Sequence, residues 1–308
     1  MALRVATFNL KDFFLPRIEA ERDIVEAKVQ NVAANLRRAN ADVVALQEVG
    51  AAELLERLVA RELADLGYGA PIVGSCDRRG IRNAMLSRLP ILSAQVHVAE
   101  ALPFPTFVEG DPEPFPGRIP LRRGVVHVRV DAAGIGEVDV LTAHFKSGLP
   151  SPRKTKDGKQ LPDDTARAHG ESAVRSLVQR SAEALYVRGL VDDVLRARPG
   201  HAVCVMGDLN DTIHSLPLRL LMGMGSLDEA KLRSCTDEVT EGRRFSCHHA
   251  GAPSLIDHVL VSERLFRARK EVAIFNEALR DHGPFIEGEN ELCRDSDHAL
   301  VTALFVEK

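Results

Sequence analysis

The sequence predicts an α+β fold in which two packed, mixed β-sheets are flanked by helices. Short apolar runs typical of strands recur along the chain, with amphipathic helical stretches between some of them. Successive strands joined by tight turns indicate hairpins, which argue against a purely parallel sheet. The chain has 308 residues, 45% of them hydrophobic, and shows no dividing linker, so we expect one domain over residues 1–308.

The first half alternates strands and helices. Strands are predicted at residues 3–9, 42–48, 81–87 and 91–98, because each is an apolar run of strand length. Residues 19–38 carry Val25, Val29, Val32 and Leu36 at helical spacing, and residues 54–63 repeat the pattern, so both are predicted helices. Residues 103–120 are rich in proline and are predicted to form a loop.

The second half begins with a hairpin. Residues 122–130 and 137–144 read as its strands, joined through Gly134 and Gly136. A polar loop, 146–165, precedes a long helix predicted at 166–198. A buried strand at 202–206, a short helix near 215–222 and strands at 256–261, 271–275 and 298–306 complete the prediction.

Charge and cysteine content exclude several classes of protein. The formal net charge is -4, so no overall basic excess indicates nucleic-acid or membrane binding. No apolar run approaches the ~18 residues of a membrane span, and no signal peptide is recognisable, so we expect no stable membrane association. The five cysteines lack a C-x-x-C pair, which argues against a disulfide framework or zinc ribbon. A cytoplasmic protein is expected.

The stretch from Ala202 to Asp211 suggests a polar site on a rigid base. Five apolar residues form a strand, Gly207 lets the backbone turn, and Asp208 and Asn210 follow on the same side. The alternative is an Asx turn that merely caps the strand, because Asp and Asn commonly bond their own backbone.

Similar polar residues stand at the ends or starts of the other apolar strands. If neighbouring strands run in opposite directions, one edge would collect Asn9, Glu48, His144, Asp208, Asn210, Asp257, Asp297 and His298. Two carboxylates ~4 Å apart repel by roughly 4 kcal/mol at an effective dielectric near 20, so the group requires shared protons or a cation. Carboxylate and amide oxygens favour Mg²⁺, with Mn²⁺ as an alternative, and such a site would accept a phosphoryl group.

Six segments in order carry a family resemblance: TFNL at 7–10, LQEV at 46–49, LTAHFKS at 141–147, MGDLND at 206–211, LIDHVLVS at 255–262 and SDHALV at 296–301. With them the chain resembles the endonuclease/exonuclease/phosphatase superfamily, which includes DNase I and the exonuclease III-type abasic-site endonucleases. The resemblance implies a four-layer α/β sandwich and metal-dependent hydrolysis of phosphodiester bonds. It also implies that Glu48 is the main metal ligand, with Asn9 beside it and Asp297 close by.

The same resemblance implies catalytic roles for five further residues. Asp208 would orient and deprotonate the attacking water, and Asn210 would hydrogen-bond a phosphate oxygen. Asp257 and His298 would form a pair in which the carboxylate fixes the imidazole tautomer and raises its pKa. His144 matches a histidine of the DNase I-like branch that contacts the phosphate or assists the leaving group, which favours that branch over abasic-site repair.

The substrate is less specified. Arg118, Arg122 and Arg123 precede a strand that often carries a phosphate-binding arginine in relatives, and residues 153–159 form a basic loop beside His144. Nucleic acid is the leading substrate. A small phosphoester, an inositol phosphate or a phospholipid headgroup is the alternative, and a non-catalytic binding module is a third. The chain lacks G-x-S-x-G, P-loop and dinucleotide-binding motifs, which excludes those chemistries.

Overall fold

The structure is a computed structural model, and it describes residues 2–225, 230–249, 251–279 and 294–307. Four cysteines within this part of the chain, Cys76, Cys204, Cys235 and Cys247, are free thiols. Cys293, which enters the cysteine count above, lies outside the described residues.

The first sheet has six strands, and two of them run parallel at its centre. Its members are β1 (Ala2–Phe13), β2 (Val43–Val49), β3 (Ile72–Val73), β4 (Arg82–Ser87), β13 (Arg269–Ile274) and β14 (Val301–Val306). Their spatial order is β13-β14-β1-β2-β4-β3. β1 pairs in parallel with β2 and antiparallel with β14, so the sheet is mixed.

The second sheet also has six strands and one central parallel pair. It contains β5 (Ile91–His97), β6 (Val125–Ala132), β7 (Gly136–Thr142), β8 (Ala202–Asp208), β9 (Leu232–Ser234) and β12 (Asp257–Ser262), in the spatial order β5-β6-β7-β8-β12-β9. β7 pairs in parallel with β8, and β12 runs antiparallel to β8. A separate two-stranded ribbon consists of β10 (Cys247–His249) and β11 (Ala252–Ser254).

Four helices cover the outer faces of the sheets: α1 (Arg22–Ala39), α2 (Ala52–Arg57), α3 (Ala166–Ala197) and α4 (Leu216–Leu221). A fifth helix, α5 (Glu263–Ala268), packs through Leu265 against the core between the sheets. Val5 and Ala45 of the first sheet share one apolar core with Val128 and Val140 of the second. A second core joins α1 and α2 to the first sheet, and a third joins α3 and α4 to the second. The layers are therefore helix, sheet, sheet, helix, as predicted.

Most predicted elements are present, with shifted bounds. The hairpin of β6 and β7 and the long helix α3 are confirmed. The helix predicted at 54–63 is α2 followed by a π-helical turn at Leu58–Glu62, and the last strand begins at Val301 rather than at 298. The sequence prediction missed β3, β9, β10 and β11, which have only two or three residues and so show no periodicity, and it also missed α5. No described helix has the length and apolarity required to cross a bilayer.

The strand directions bring the polar strand termini to one edge. β1, β2, β7 and β8 end at this edge, whereas β12 and β14 begin there, because they are antiparallel to β8 and β1 respectively. Residues far apart in the chain can therefore meet at a single site.

Candidate active site

A close approach of the two backbones at the ends of the parallel strands β7 and β8 forms the base of the site. Gly207 has φ 149°, and a Cβ there would lie 1.9 Å from the Ala143 carbonyl oxygen, so only glycine is accommodated. The Phe145 N–H donates to the Asp208 carbonyl at 3.1 Å, which holds the two backbones together just beyond this contact. As a result His144 Nε2 lies 3.3 Å from Asp208 Oδ2, with both side chains buried.

Asp208 is the centre of the hydrogen bonds. Asn9 Nδ2 donates to Asp208 Oδ2 at 2.9 Å, although the two residues are 199 positions apart in the chain. The Asn210 N–H donates to Asp208 Oδ1 at 3.0 Å, which is the Asx turn considered above as an alternative. The turn and the polar cluster therefore coexist. The Asn210 side-chain amide donates to the Phe145 carbonyl at 3.1 Å.

Asp257 and His298 complete the buried cluster. Asp257 stands directly opposite Asp208 in the β8–β12 register, an arrangement of like charges that destabilises an antiparallel pair. His298 Nδ1 is 2.8 Å from Asp257 Oδ2, and His298 Nε2 is 4.0 Å from Asp208 Oδ2. One donor atom from each of these three residues lies within 4.8 Å of the others.

Burial and these neighbours shift the acid–base behaviour of the cluster. Burial, together with Asp257, raises the pKa of Asp208 to about 7. Burial alone would lower the pKa of His298, but the charges of Asp257 and Asp208 outweigh it and raise that pKa well above its usual value. Burial lowers the pKa of His144 far below the usual value, and the charge of Arg123 adds to this effect. The pKa values of the two imidazoles are therefore shifted in opposite directions, that of His298 in favour of the charged form and that of His144 in favour of the neutral form.

The end of β1 contributes a second cluster around Glu48 and Asp297. The Asp12 N–H donates to Glu48 Oε2 at 3.0 Å, and Lys11 Nζ donates to Asp297 Oδ2 at 2.5 Å. Five described non-glycine residues have positive φ, and four of them lie here or beside Asp208: Lys11, Asp12, Glu48 and Asn210. Such strained conformations concentrate at functional sites.

The three candidate arginines occupy different environments. Arg118 is exposed in the proline-rich loop, and Arg122 is exposed immediately before the buried Arg123. Arg123 Nη2 donates to the Phe145 carbonyl at 3.0 Å, and Arg123 Nη1 lies 3.6 Å from Asp77 Oδ2. Of the three, Arg123 thus has a direct bond to the backbone between His144 and Lys146.

Helix α3 supports this backbone from behind. Glu183 is 1% exposed and accepts the Lys146 N–H at 2.6 Å and the Gln179 side-chain amide at 2.9 Å. Burial raises the pKa of Glu183, and the charge of Arg123 partly opposes that rise. Sequence reasoning missed Glu183, because a glutamate within a long helix carries no local sign of burial.

The predicted residues are thus brought to one edge in two linked groups. His144, Asp208, Asn210, Asp257 and His298 form the group around Asp208, and Asn9 joins this group to the other through its bonds to Asp208 and to the Lys11 N–H. Glu48 and Asp297 form that second group with the unpredicted Lys11 and Asp12. The sequence carries no sign of the position of Lys11, because the backbone leaves the extended conformation there, with φ 48° at both Lys11 and Asp12.

The Endonuclease/Exonuclease/phosphatase family model matches residues 6–298. The chain belongs to this family. The match extends across both sheets and every segment that contributes to the edge described above. Among curated protein sequences, none matches the chain.

Solved structures with the same fold come from several organisms. TDP2 of Caenorhabditis elegans is 16% identical, with a TM-score of 0.56 over 99% of this chain and 98% of that one. The 3'-5' exonuclease NExo of Neisseria meningitidis is 19% identical, with a TM-score of 0.58 over 99% and 100%. An AP endonuclease of Archaeoglobus fulgidus is 14% identical, with a TM-score of 0.55 over 98% and 99%.

These comparisons confirm three predictions for this family member. The DNase I-like resemblance and the four-layer fold are confirmed. The enzyme class is confirmed as a metal-dependent phosphodiester hydrolase, and a nuclease agrees with that class. The individual residue roles stay predictions.

Proposed function

We propose that this protein is a Mg²⁺-dependent nuclease, which hydrolyses phosphodiester bonds in nucleic acid by in-line attack of water. The observation that carries the proposal is the convergence of Asp208, Asp257 and His298 at one edge, with Asn9 bonded to the same carboxylate. Their positions in four separate strands or strand termini give the cluster a rigid base.

The residues suit a hard divalent ion. Asp257 is fully buried, and its Oδ1 atom has no hydrogen-bond partner in the described part of the chain. An unpaired oxygen on a buried carboxylate indicates that a cation belongs close to this cluster, and oxygen donors favour Mg²⁺ or Mn²⁺ over softer metals. We propose Glu48, Asn9 and Asp297 as the residues that hold the ion. When bound, it would neutralise the charge that develops on the phosphate oxygens.

Asp208 is proposed as the general base for the attacking water. A base is most effective when its pKa lies near the working pH, and the pKa of Asp208 is raised to about 7. The amide of Asn9 holds one Asp208 oxygen, and the backbone of Asn210 holds the other, so the carboxylate has a fixed orientation. We also retain the proposal that the Asn210 side chain contacts a phosphate oxygen.

The two histidines are proposed to act in different charge states. His298, charged through its bond to Asp257, would bind a phosphate oxygen and stabilise negative charge in the transition state. His144 is neutral, and its buried Nδ1 has no hydrogen-bond partner among the described residues. We assign His144 to the phosphate or the leaving group.

Exposed basic residues that flank site residues in the chain support a polyanionic substrate. Arg122 is exposed next to the buried Arg123, and exposed Arg153, Lys154, Lys156 and Lys159 follow His144 within one loop. We propose Arg122, with Arg118, as phosphate-binding residues, whereas the buried Arg123 would act by orienting the Phe145 carbonyl. One structural neighbour, TDP2 of D. rerio, is described in complex with single-strand DNA product.

We further propose that residues 1–308 act as one catalytic domain, because a single apolar core joins the two sheets. A cytoplasmic location is proposed, since the described thiols, including the buried Cys204 and Cys235, are unpaired as expected in a reducing compartment.

A substrate panel tests this function. Purified protein would be assayed with Mg²⁺, with Mn²⁺ and with EDTA on duplex DNA, single-stranded DNA, RNA, bis-p-nitrophenyl phosphate, a phosphomonoester and sphingomyelin. We expect cleavage of nucleic acid that EDTA abolishes and that Asp208→Asn and His298→Ala reduce while substrate still binds. Full activity in EDTA, or wild-type turnover in both variants, would refute the proposal.

Salt dependence separates nucleic acid from a small phosphoester. Binding to a polyanion releases counterions, so its affinity should fall steeply as salt increases. A shallow dependence, together with turnover of the small substrates alone, would support the small-molecule alternative.

A further inference from the structure

The end of β1 contains a bulge that presents Lys11 to the site. Asn9 pairs with Gln47 and Phe13 pairs with Val49, so three residues of β1 stand opposite the single residue Glu48 of β2. Lys11 and Asp12 both have φ 48°, a conformation that costs on the order of 1–3 kcal/mol for each non-glycine residue. Bulges of this kind re-aim side chains next to active sites.

The bulge contacts all three residues proposed to hold the metal. Lys11 donates through its Nζ to Asp297 Oδ2 at 2.5 Å and through its backbone N–H to Asn9 Oδ1 at 2.9 Å. The adjacent Asp12 N–H donates to Glu48 Oε2 at 3.0 Å. The Lys11 and Asp297 side chains are only 27% and 31% exposed, so solvent screens this ion pair less than a surface pair.

Lys11 brings a cation into direct contact with a proposed metal ligand. Its ammonium pairs with Asp297, whereas two nearby arginines pair with other carboxylates, Arg79 with Asp12 and Arg123 with Asp77. An ammonium held against a carboxylate supplies positive charge at a position that a further cation could otherwise occupy.

We propose that Lys11 takes the place of a second divalent ion, so that the site binds one metal ion per chain. This inference rests on the proposed metal-dependent function. The ammonium occupies the Oδ2 atom of Asp297, which leaves that carboxylate one oxygen for the metal. A further divalent ion about 4 Å from the ammonium would be repelled by about 8 kcal/mol at an effective dielectric near 20.

Metal counting tests the inference without an activity assay. Bound Mn²⁺ would be measured by equilibrium dialysis with electron paramagnetic resonance of the free ion, for the wild type, Lys11→Met, Lys11→Gln and Lys11→Arg. The matched control is Lys270→Met, an exposed lysine on β13 at the opposite end of the first sheet. Circular dichroism would verify that each variant is folded.

We expect one Mn²⁺ per chain in the wild type, Lys11→Arg and Lys270→Met, and two in Lys11→Met and Lys11→Gln. Adding Asp297→Asn to Lys11→Met should return the count to one, because the freed carboxylate is lost. Two ions in the wild type, or one ion in both neutral Lys11 variants, would refute the proposed role of Lys11 and leave the proposed metal dependence intact. A wild type that binds no Mn²⁺ would instead refute the proposed metal-dependent function.

Discussion

Gly207→Ala should push apart the ends of β7 and β8, which position His144 and Asp208. The added Cβ would lie 1.9 Å from the Ala143 carbonyl oxygen, whereas ordinary carbon–oxygen contacts begin above 3 Å, so the backbones must separate by about 1 Å. His144 and Asp208, now 3.3 Å apart, are the next residue on each of these strands and would separate too. A displacement of ~1 Å within a catalytic constellation costs about 100-fold in rate.

The assay compares kcat and melting temperature for Gly207→Ala with those for Gly189→Ala. Gly189 lies within α3 with open space around its Cβ position, so alanine there should stabilise the helix by up to ~1 kcal/mol and leave kcat unchanged. Overpacking at Gly207 should instead destabilise the fold by about 1–3 kcal/mol. If Gly207→Ala retains wild-type kcat and stability, the close approach of Gly207 to Ala143 does not set the geometry of His144 and Asp208.

Three further predictions concern single charged or phenolic groups. Glu48→Gln should weaken apparent Mg²⁺ affinity by at least about tenfold, with turnover partly restored at high Mg²⁺, and unchanged Mg²⁺ dependence would contradict its role. Asp257→Asn removes the charge that holds the pKa of His298 high, so the limb of the pH–rate profile that reports His298 should move to lower pH; an unmoved limb would exclude the pair. Burial raises the pKa of Tyr68 to about 12, so about 3 kcal/mol of stability should be lost as pH rises from about 10 to 12. Tyr68→Phe should abolish this alkaline loss, which denaturant unfolding would measure.

The residues that gather at this edge of the sheets were predictable, because the sequence pattern that places them there is local. Each strand that ends at the site is a short apolar run followed at once by a polar residue, and Asn9, Glu48, His144 and Asp208 all fit that pattern. Strand direction was an assumption of the prediction: β12 and β14 run opposite to β8 and β1 as assumed, whereas β1 and β2, like β7 and β8, are parallel neighbours. The contact between Asn9 and Asp208 spans 199 positions, yet it needed only the direction of two strands.

The supporting contacts were not predictable, because they depend on side chains that meet through tertiary packing. Glu183 is buried behind Lys146 because α3 packs on the second sheet, and no sequence pattern links the two residues. The bulge that directs Lys11 toward Asp297 is a local break in strand pairing, and a uniform apolar run gives no sign of it. The short strands β3 and β9 form only because β4 and β12 provide edges to pair with.

The buried carboxylates also predict that function and stability oppose each other at this site. Burial and the facing Asp257 raise the pKa of Asp208 to about 7, whereas its value in the unfolded chain is near 4. The folded protein therefore binds this proton more tightly than the unfolded chain does, and stability of the metal-free protein falls as pH rises from about 4 to 7. Linkage sets the loss at up to about 4 kcal/mol.

Asp208→Asn removes the ionisable group and retains a donor and an acceptor. Above pH 7 and in EDTA, we expect this variant to melt at a higher temperature than the wild type, even though its turnover is lost. Saturating Mg²⁺ should raise the melting temperature of the wild type, because an ion that binds only the folded state stabilises it, and should raise that of the variant less. Thermal unfolding with and without Mg²⁺ measures both effects. A variant that melts below the wild type in EDTA would show that the carboxylate is already neutralised within the protein, and a divalent ion would then not be needed to make the site tolerable.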